Sequence, residues 1–231
     1  MNNFQWPPVI LISGMPRTGK TTIARKILKS NSEYIVIEQV DVIREVLRCA
    51  LDQTSKCFAD KNPHKTYVEI SRILHTSSYK LSDDDYLIQC KLLTPAIVAI
   101  CNRLYQKGIP IIVEGVNIDI KTIISSEDVT FIAKSNEIIF INLFRNDKKY
   151  KNDLSKKVVD CNDTPPLLVV EKMLKRSTWL YERINHVIKD ENAKNVFNVD
   201  LSNNTVFPHS TDLINHLILL YNTSWQDLNR F

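Results

Sequence analysis

Gly14, Gly19, Lys20 and Thr21 stand in the stretch LISGMPRTGKTT, Leu11 to Thr22, at the spacing G-x-x-x-x-G-K-[ST]; a chain of 231 residues with only four glycines places two of them there. Residue types at that spacing hold a polyphosphate. The glycines let the backbone curl until successive N–H groups point inward, and the helix that follows adds the partial positive charge of its N-terminus. Lys20 then serves as a compact charge bridging β- and γ-phosphates, and the Thr21 hydroxyl as a ligand for a magnesium ion. The expected phosphate-binding set is Gly14, Met15, Pro16, Arg17, Thr18, Gly19, Lys20, Thr21 and Thr22. The plainer reading is a glycine turn that opens a helix. Arg17 is the odd member, because a side chain there resists the positive φ that glycine takes freely. Either the loop follows a different path, or the guanidinium adds a donor to the phosphates.

Two carboxylates and an arginine extend the set. Asp41 opens the pattern D-V-I-R-E-V-L-R directly after a second apolar run. It reads either as a helix N-cap, or as a group at the carboxyl end of a parallel strand that accepts a proton from an attacking hydroxyl. Arg44 lies one turn further on, placed either to bind an acidic acceptor or to pair with a neighbouring acid. Glu114 ends the run I-I-V-E. A carboxylate in so apolar a stretch is costly to bury unpaired, so it requires a cation: magnesium, Lys20, or a structural ion-pair partner.

The elements that must position these groups are legible as periodicity. Apolar runs at Val9 to Ser13, Tyr34 to Glu38, Pro110 to Val116, Glu137 to Phe144 and Asn195 to Val199 read as buried strands. Helical patterns run over Thr21 to Lys29, Val42 to Leu51, Asp83 to Gln106, Lys148 to Val159, Leu167 to Asp190 and Thr211 to Tyr221. The interval Thr54 to Ser82 is less periodic and suggests a helical excursion over the sheet edge. Continuous apolar strands separated by helices imply a parallel sheet covered on both faces. The expectation is one α/β domain over residues 1–231, with five parallel strands in three layers and a helical lid over about residues 145–190. The basic segment from Lys148 to Lys157 starts that lid.

Composition narrows the class. A hydrophobic fraction of 44% beside 24% charged residues is that of an ordinary globular chain. The longest apolar stretch, around Leu92 to Cys101, is shorter than the ~20 residues a spanning helix requires, and the first residues carry no basic region, so neither a membrane partner nor a secretory leader is expected. Five cysteines, odd in number and without a C-x-x-C pair, argue against a disulfide framework or a zinc site and for a reducing, cytoplasmic setting. The five histidines are dispersed and suggest no metal ligands. The net charge of +4 fits an acidic ligand or a solvated surface equally well. Nothing here sets an oligomeric state.

In order along residues 9 to 200, the pieces GMPRTGKTTIA, DVIREVLR, Ser77-Ser78-Tyr79, QCKLLTPAIVAICNRL and IIVEGVNI resemble the 2-phosphoglycerate kinase family, P-loop proteins with an adenylate-kinase-like core. The resemblance implies a three-layer P-loop NTPase fold, ATP and Mg2+ as cofactors, and phosphoryl transfer to a small-molecule acceptor, acidic or polyol. It implies that Gly14, Gly19, Lys20 and Thr21 hold ATP and that Asp41 and Arg44 face the acceptor. Related sequences carry a histidine and arginines after the fourth strand, where this chain reads NDKKYKNDLSKK with only Arg145 before it. Arg145, Lys149, Arg176 and Arg183 are the cations available to the lid, with a solvated charged helix as the plainer reading of the last two. A small-molecule kinase is therefore expected, with catalytic residues Lys20, Asp41, Arg44 and Arg145 and magnesium at Thr21 and Glu114. A polynucleotide kinase or RNA-binding protein ranks below it: the basic lid and Tyr67, Tyr79 and Tyr150 favour nucleic acid, but acids interrupt the same helices and no dense basic stripe exists. A third reading is a regulatory nucleotide-binding module with weak catalysis.

Overall fold

Side chains alternate across a strand, so each strand here divides its residues between two helical layers. The computed structural model describes residues 9–30, 36–57, 65–125, 138–158, 166–190 and 195–202. Their elements are β1 (Val9–Gly14), α1 (Lys20–Ser30), β2 (Val36–Gln39), α2 (Val40–Cys57), α3 (Lys65–His75), α4 (Asp83–Tyr105), β3 (Ile111–Gly115), α5 (Ile120–Ile124), β4 (Ile138–Phe144), α6 (Lys148–Val158), α7 (Pro166–Asp190) and β5 (Val196–Asp200). The helix expected over 211–221 lies outside the described residues, as do Cys161, His64, His209 and His216. The weakly periodic interval before Ser82 contains α3.

The strands form one sheet in the order β2-β3-β1-β4-β5, every pair parallel. This is the α/β sandwich expected, with helices on both faces. Ile10, Ile12, Ile112 and Ile141 pack against Ile23, Ala24 and Ile27 of α1 on one side. Val9, Leu11, Ile111, Val113 and Phe140 face α2, α4 and α7 on the other, against Ile43, Leu93, Ile97 and Ile184. β1 is buried along its whole length because it lies in the middle of the sheet and is covered on both faces.

The register sets the site. Ser13 of β1 pairs with Gly115 of β3, Gly14 with Leu143 of β4, and Gln39 of β2 with Glu114. The glycine loop, Glu114 and the start of α2 therefore emerge side by side at the carboxyl edge, where open α/β sheets bind ligands.

Two helices carry consequences for the expected organisation. α4 is long and apolar enough to span a bilayer by composition, and its apolarity has another cause. Tyr86, Cys90, Leu93, Ile97 and Cys101 form a buried stripe at helical spacing, turned to the rest of the fold. The segment expected as a lid divides in two. Ile184 and Val187 in the second half of α7 belong to the sheet-side core. Val169, Val170 and Met173 in its first half join Tyr150 and Leu154 of α6, Tyr86 of α4 and Met15 of the loop in a third apolar cluster at the edge of the sheet.

Candidate active site

The loop between β1 and α1 is built around one carbonyl. Met15 O accepts from Thr18 N at 3.3 Å, from Thr18 Oγ1 at 2.9 Å and from Lys20 Nζ at 2.9 Å, which folds residues 15–20 into a tight turn. Gly14 has φ +141°, and a Cβ there would meet Leu143 O at 2.5 Å and Thr18 Oγ1 at 2.8 Å. No other residue fits both the angle and the space. Gly19 has φ +98° with open space beside it, so the angle alone demands glycine. Arg17 also has positive φ, +65°, the only non-glycine to do so among the described residues. A side chain in that region costs on the order of 1–2 kcal/mol. The loop thus keeps the left-handed path at Arg17 in spite of the side chain.

The loop opens onto a cavity of about 820 Å³. Pro16, Arg17, Gly19, Lys20, Thr21 and Thr22 line it, while Met15 and Thr18 are buried beneath and support it. Asp41, Arg44 and Glu114 line the same cavity, so of the expected catalytic and metal-binding residues only Arg145 lies outside it, as do the other lid cations Lys149, Arg176 and Arg183. Glu114, 5% exposed, accepts a hydrogen bond from Thr21 Oγ1 at 2.7 Å. Magnesium binds oxygen at about 2.1 Å with near-octahedral angles, so neighbouring ligands stand roughly 3 Å apart. Two oxygens at 2.7 Å fit such a pair after a small separation. No group of three or more His, Cys, Asp or Glu side chains that could hold a metal occurs among the described residues, so the ion would complete its shell with phosphate and water.

Asp41 lies inside the first turn of α2, which begins at Val40, so it does not cap the helix. Its carboxylate is exposed and pairs with Arg44 Nη2 at 3.2 Å; Arg44 is mostly covered, with its Nε buried and unpartnered. Gly115 explains how α2 comes so close: a Cβ there would lie 2.5 Å from Val40 Cβ. The absence of a side chain after Glu114 lets the start of α2 rest on the end of β3.

Another part of the wall comes from residues that sequence reasoning passed over as site residues. Ser77, Ser78 and Tyr79, quoted for the resemblance and, in the case of Tyr79, as an aromatic that would suit nucleic acid, line the cavity. Ser78 Oγ lies 2.8 Å from Asn117 Oδ1 and 3.0 Å from Gln89 Oε1, its one proton serving either, and Asn117 Nδ2 donates to Gln89 Oε1 at 2.7 Å. Gln89 Nε2 in turn donates to the carbonyls of Ile73 and Thr76. Arg176 of α7, 3% exposed, secures the same turn from behind. It donates to Ser78 O, to Leu81 O at 2.7 Å and to Asp83 Oδ1 at 2.8 Å, with its guanidinium over the Tyr86 ring.

α6 supplies Asp153 and Lys156 to the cavity and Gln39 joins them from the end of β2. Asp147 caps α6, accepting from Tyr150 N at 2.8 Å and from Arg145 Nε and Nη2 at 2.8 and 2.9 Å. Burial alone would raise the Asp147 carboxyl, but these bonds outweigh it and hold the carboxyl below its ordinary value. Tyr150 hydroxyl donates to Pro16 O at 3.1 Å, tying α6 to the loop; burial pushes that hydroxyl up, out of the physiological range. Arg145, expected as catalytic, does not line the cavity. Its fork is closed on Asp147 and stacked 5.5 Å from the Tyr150 ring centre, so it anchors α6. Arg183 is held by Asp119 at 3.0 and 3.1 Å, a contact that raises its own pKa further.

A glycine loop between a central parallel strand and a helix, with an acidic residue ending the adjacent strand, defines the architecture. The chain has the P-loop fold. No protein-family model matches it, and no curated protein does. It is similar to a gluconokinase from Sinorhizobium meliloti 1021, at TM-score 0.48 and 12% identity over 97% of both chains. It is also similar to a chain of the Pnkp1/Rnl/Hen1 RNA repair complex, at TM-score 0.41 and 16% identity over 79% of this chain and 48% of that one. Likenesses at these scores do not bear on the substrate.

Proposed function

We propose that the chain is an ATP- and magnesium-dependent phosphotransferase that moves the γ-phosphoryl group to a hydroxyl of a small acidic or polyol acceptor, as its resemblance to the 2-phosphoglycerate kinase family implies. The observation that carries this reading is one cavity shared by the glycine loop, the Thr21–Glu114 pair and the Asp41–Arg44 pair. Loop amides and the α1 N-terminus bind the β- and γ-phosphates, and Lys20 exchanges Met15 O for phosphate oxygen. Asp41 takes the acceptor proton as the acceptor oxygen bonds to the γ-phosphorus. The bond from that phosphorus to the bridging oxygen breaks, and its electron pair leaves on ADP. Arg44 and Lys156 hold the anionic or polar end of the acceptor. Thr21 and Glu114 would hold the magnesium ion, which would supply charge neutralisation at the phosphates.

The test is ADP release against phosphoglycerates, inositols, nucleosides and 5'-hydroxyl oligonucleotides. Lys20→Ala should remove nucleotide-dependent turnover. Asp41→Asn should lower turnover by about 10²-fold or more while MgATP affinity stays within about threefold; equal loss of both would rule out the proton-accepting role. Turnover on oligonucleotides alone would reassign the acceptor to nucleic acid. MgATP binding with no turnover on any acceptor would leave a regulatory module.

A further inference from the structure

The arginines on the lid side of the cavity are already committed. Asp147 clamps Arg145, Asp83 and two carbonyls clamp Arg176, Asp119 clamps Arg183, and none of the three lines the cavity. The arginines that do line it are Arg17 in the loop and Arg44 on α2. Arg44 sits beside Asp41, on the side assigned to the acceptor. Arg17 lies between Gly14 and Gly19, in the loop that surrounds the phosphates. At positions 14 and 19 the loop meets its demand for positive φ with glycine; at 17 it keeps an exposed arginine at φ +65°. A strained conformation retained at a ligand cavity marks the side chain, and not the turn, as what the position requires.

We propose that Arg17 is a catalytic residue whose guanidinium grips the γ-phosphoryl oxygens during transfer, so that the glycine loop itself supplies the planar cation that the lid lacks. The proposal deepens the phosphotransferase reading and rests on it. As the acceptor oxygen bonds to phosphorus, the bridging bond breaks toward ADP and the proton passes to Asp41, charge is spread over three equatorial oxygens. A planar fork binds two of them at once; the ammonium of Lys156, which also lines the cavity, does not.

Calorimetry of wild type, Arg17→Gly and Arg17→Lys with MgADP, alone and with aluminium fluoride as a mimic of the transferring group, tests this. Glycine suits φ +65°, so Arg17→Gly is expected to fold and to bind MgADP within about threefold of wild type. Its gain in affinity on adding aluminium fluoride should fall by roughly 10²-fold, and Arg17→Lys should recover only part of that. A glycine variant that keeps the full gain overturns the proposal, and so does one that loses affinity equally with and without the fluoride. If wild type binds MgADP but gains nothing from aluminium fluoride, the nucleotide site stands and the role of Arg17 falls. If wild type binds no MgADP, the phosphotransferase reading fails and takes this role with it.

Discussion

Glu114 shows how one residue joins stability to chemistry. Its carboxylate is buried at the end of a strand whose other residues are apolar or glycine, and Thr21 Oγ1 donates to it. A hydrogen bond to a charged acceptor contributes about 1.5–3 kcal/mol, and leaving that acceptor unpaired costs at least as much. Thr21→Val keeps the shape and removes the donor, so it should lower unfolding free energy by roughly 2 kcal/mol in urea melts. Glu114→Gln behaves differently, because its amide oxygen still accepts from Thr21. We expect its stability to stay within about 1 kcal/mol of wild type, while the magnesium concentration that half-saturates nucleotide binding rises about tenfold or more. If the glutamine variant keeps the wild-type magnesium dependence, Glu114 is a structural partner of Thr21 and no more. The sequence exposed this residue because a carboxylate in a run of Ile and Val contradicts its surroundings. It could not identify the partner, because Thr21 lies 93 residues away and meets Glu114 only through the pairing of β1 with β3.

At the scale of elements, the least legible part was the cavity wall built from α6 and from the turn before α4. α7 read as a charged amphipathic helix, with Arg176 and Arg183 as lid cations or solvated groups. In the fold Arg176 reaches 95 to 98 residues back to carbonyls in the turn before α4. Periodicity shows which face of a helix is apolar; it carries no information about which backbone oxygens a buried guanidinium will meet. Lys156 and Asp153 were legible only as members of the basic segment Lys148 to Lys157, for a related reason. They flank the face of α6 that carries Tyr150 and Leu154, and only the docking of that face on Met15 and Pro16 turns them toward the cavity. The strands, their parallel direction and the glycine loop were legible because each follows from local signals, in apolar runs separated by helices and in backbone demands that only glycine meets. Arg176→Ala tests the element-scale account. It strands the carbonyls of Ser78 and Leu81 and releases Asp83, so stability should drop by roughly 3 kcal/mol in denaturant titrations. Arg176→Lys should restore only part of this, since one ammonium does not span three acceptors as the fork does. A drop under about 1 kcal/mol for the alanine variant would mean that the turn at Ser77–Tyr79 is held by the Gln89–Asn117 network alone.

At the scale of the whole molecule, α4 joins two of the three apolar clusters. Its Cys101 lies in the sheet-side core and its Cys90 in the cluster that joins α6 and α7 to the loop. Burial pushes both thiols up to about 12, with Asp119 adding to the effect at Cys90. The folded protein therefore keeps both protons where the unfolded chain, with thiols near the ordinary 9.0, has released them. Above pH 9 the unfolded state binds fewer protons, so stability falls as pH rises from about 9 toward 12, and below pH 9 this contribution is fully present. At pH 10 the loss from two such thiols is roughly 2–3 kcal/mol, and it does not depend on the folded values as long as they exceed about 11. Lysines and tyrosines also titrate in this range, so the informative quantity is a difference of differences. The double variant Cys90→Ala, Cys101→Ala should be less stable than wild type at pH 7.5 because of the volume it removes. Its further loss between pH 7.5 and pH 10, measured by urea melts at both, should be smaller than the wild-type loss by about that 2–3 kcal/mol. Equal losses in the two proteins would mean that α4 admits water to its cysteines, and that the two clusters it joins open before the chain as a whole unfolds.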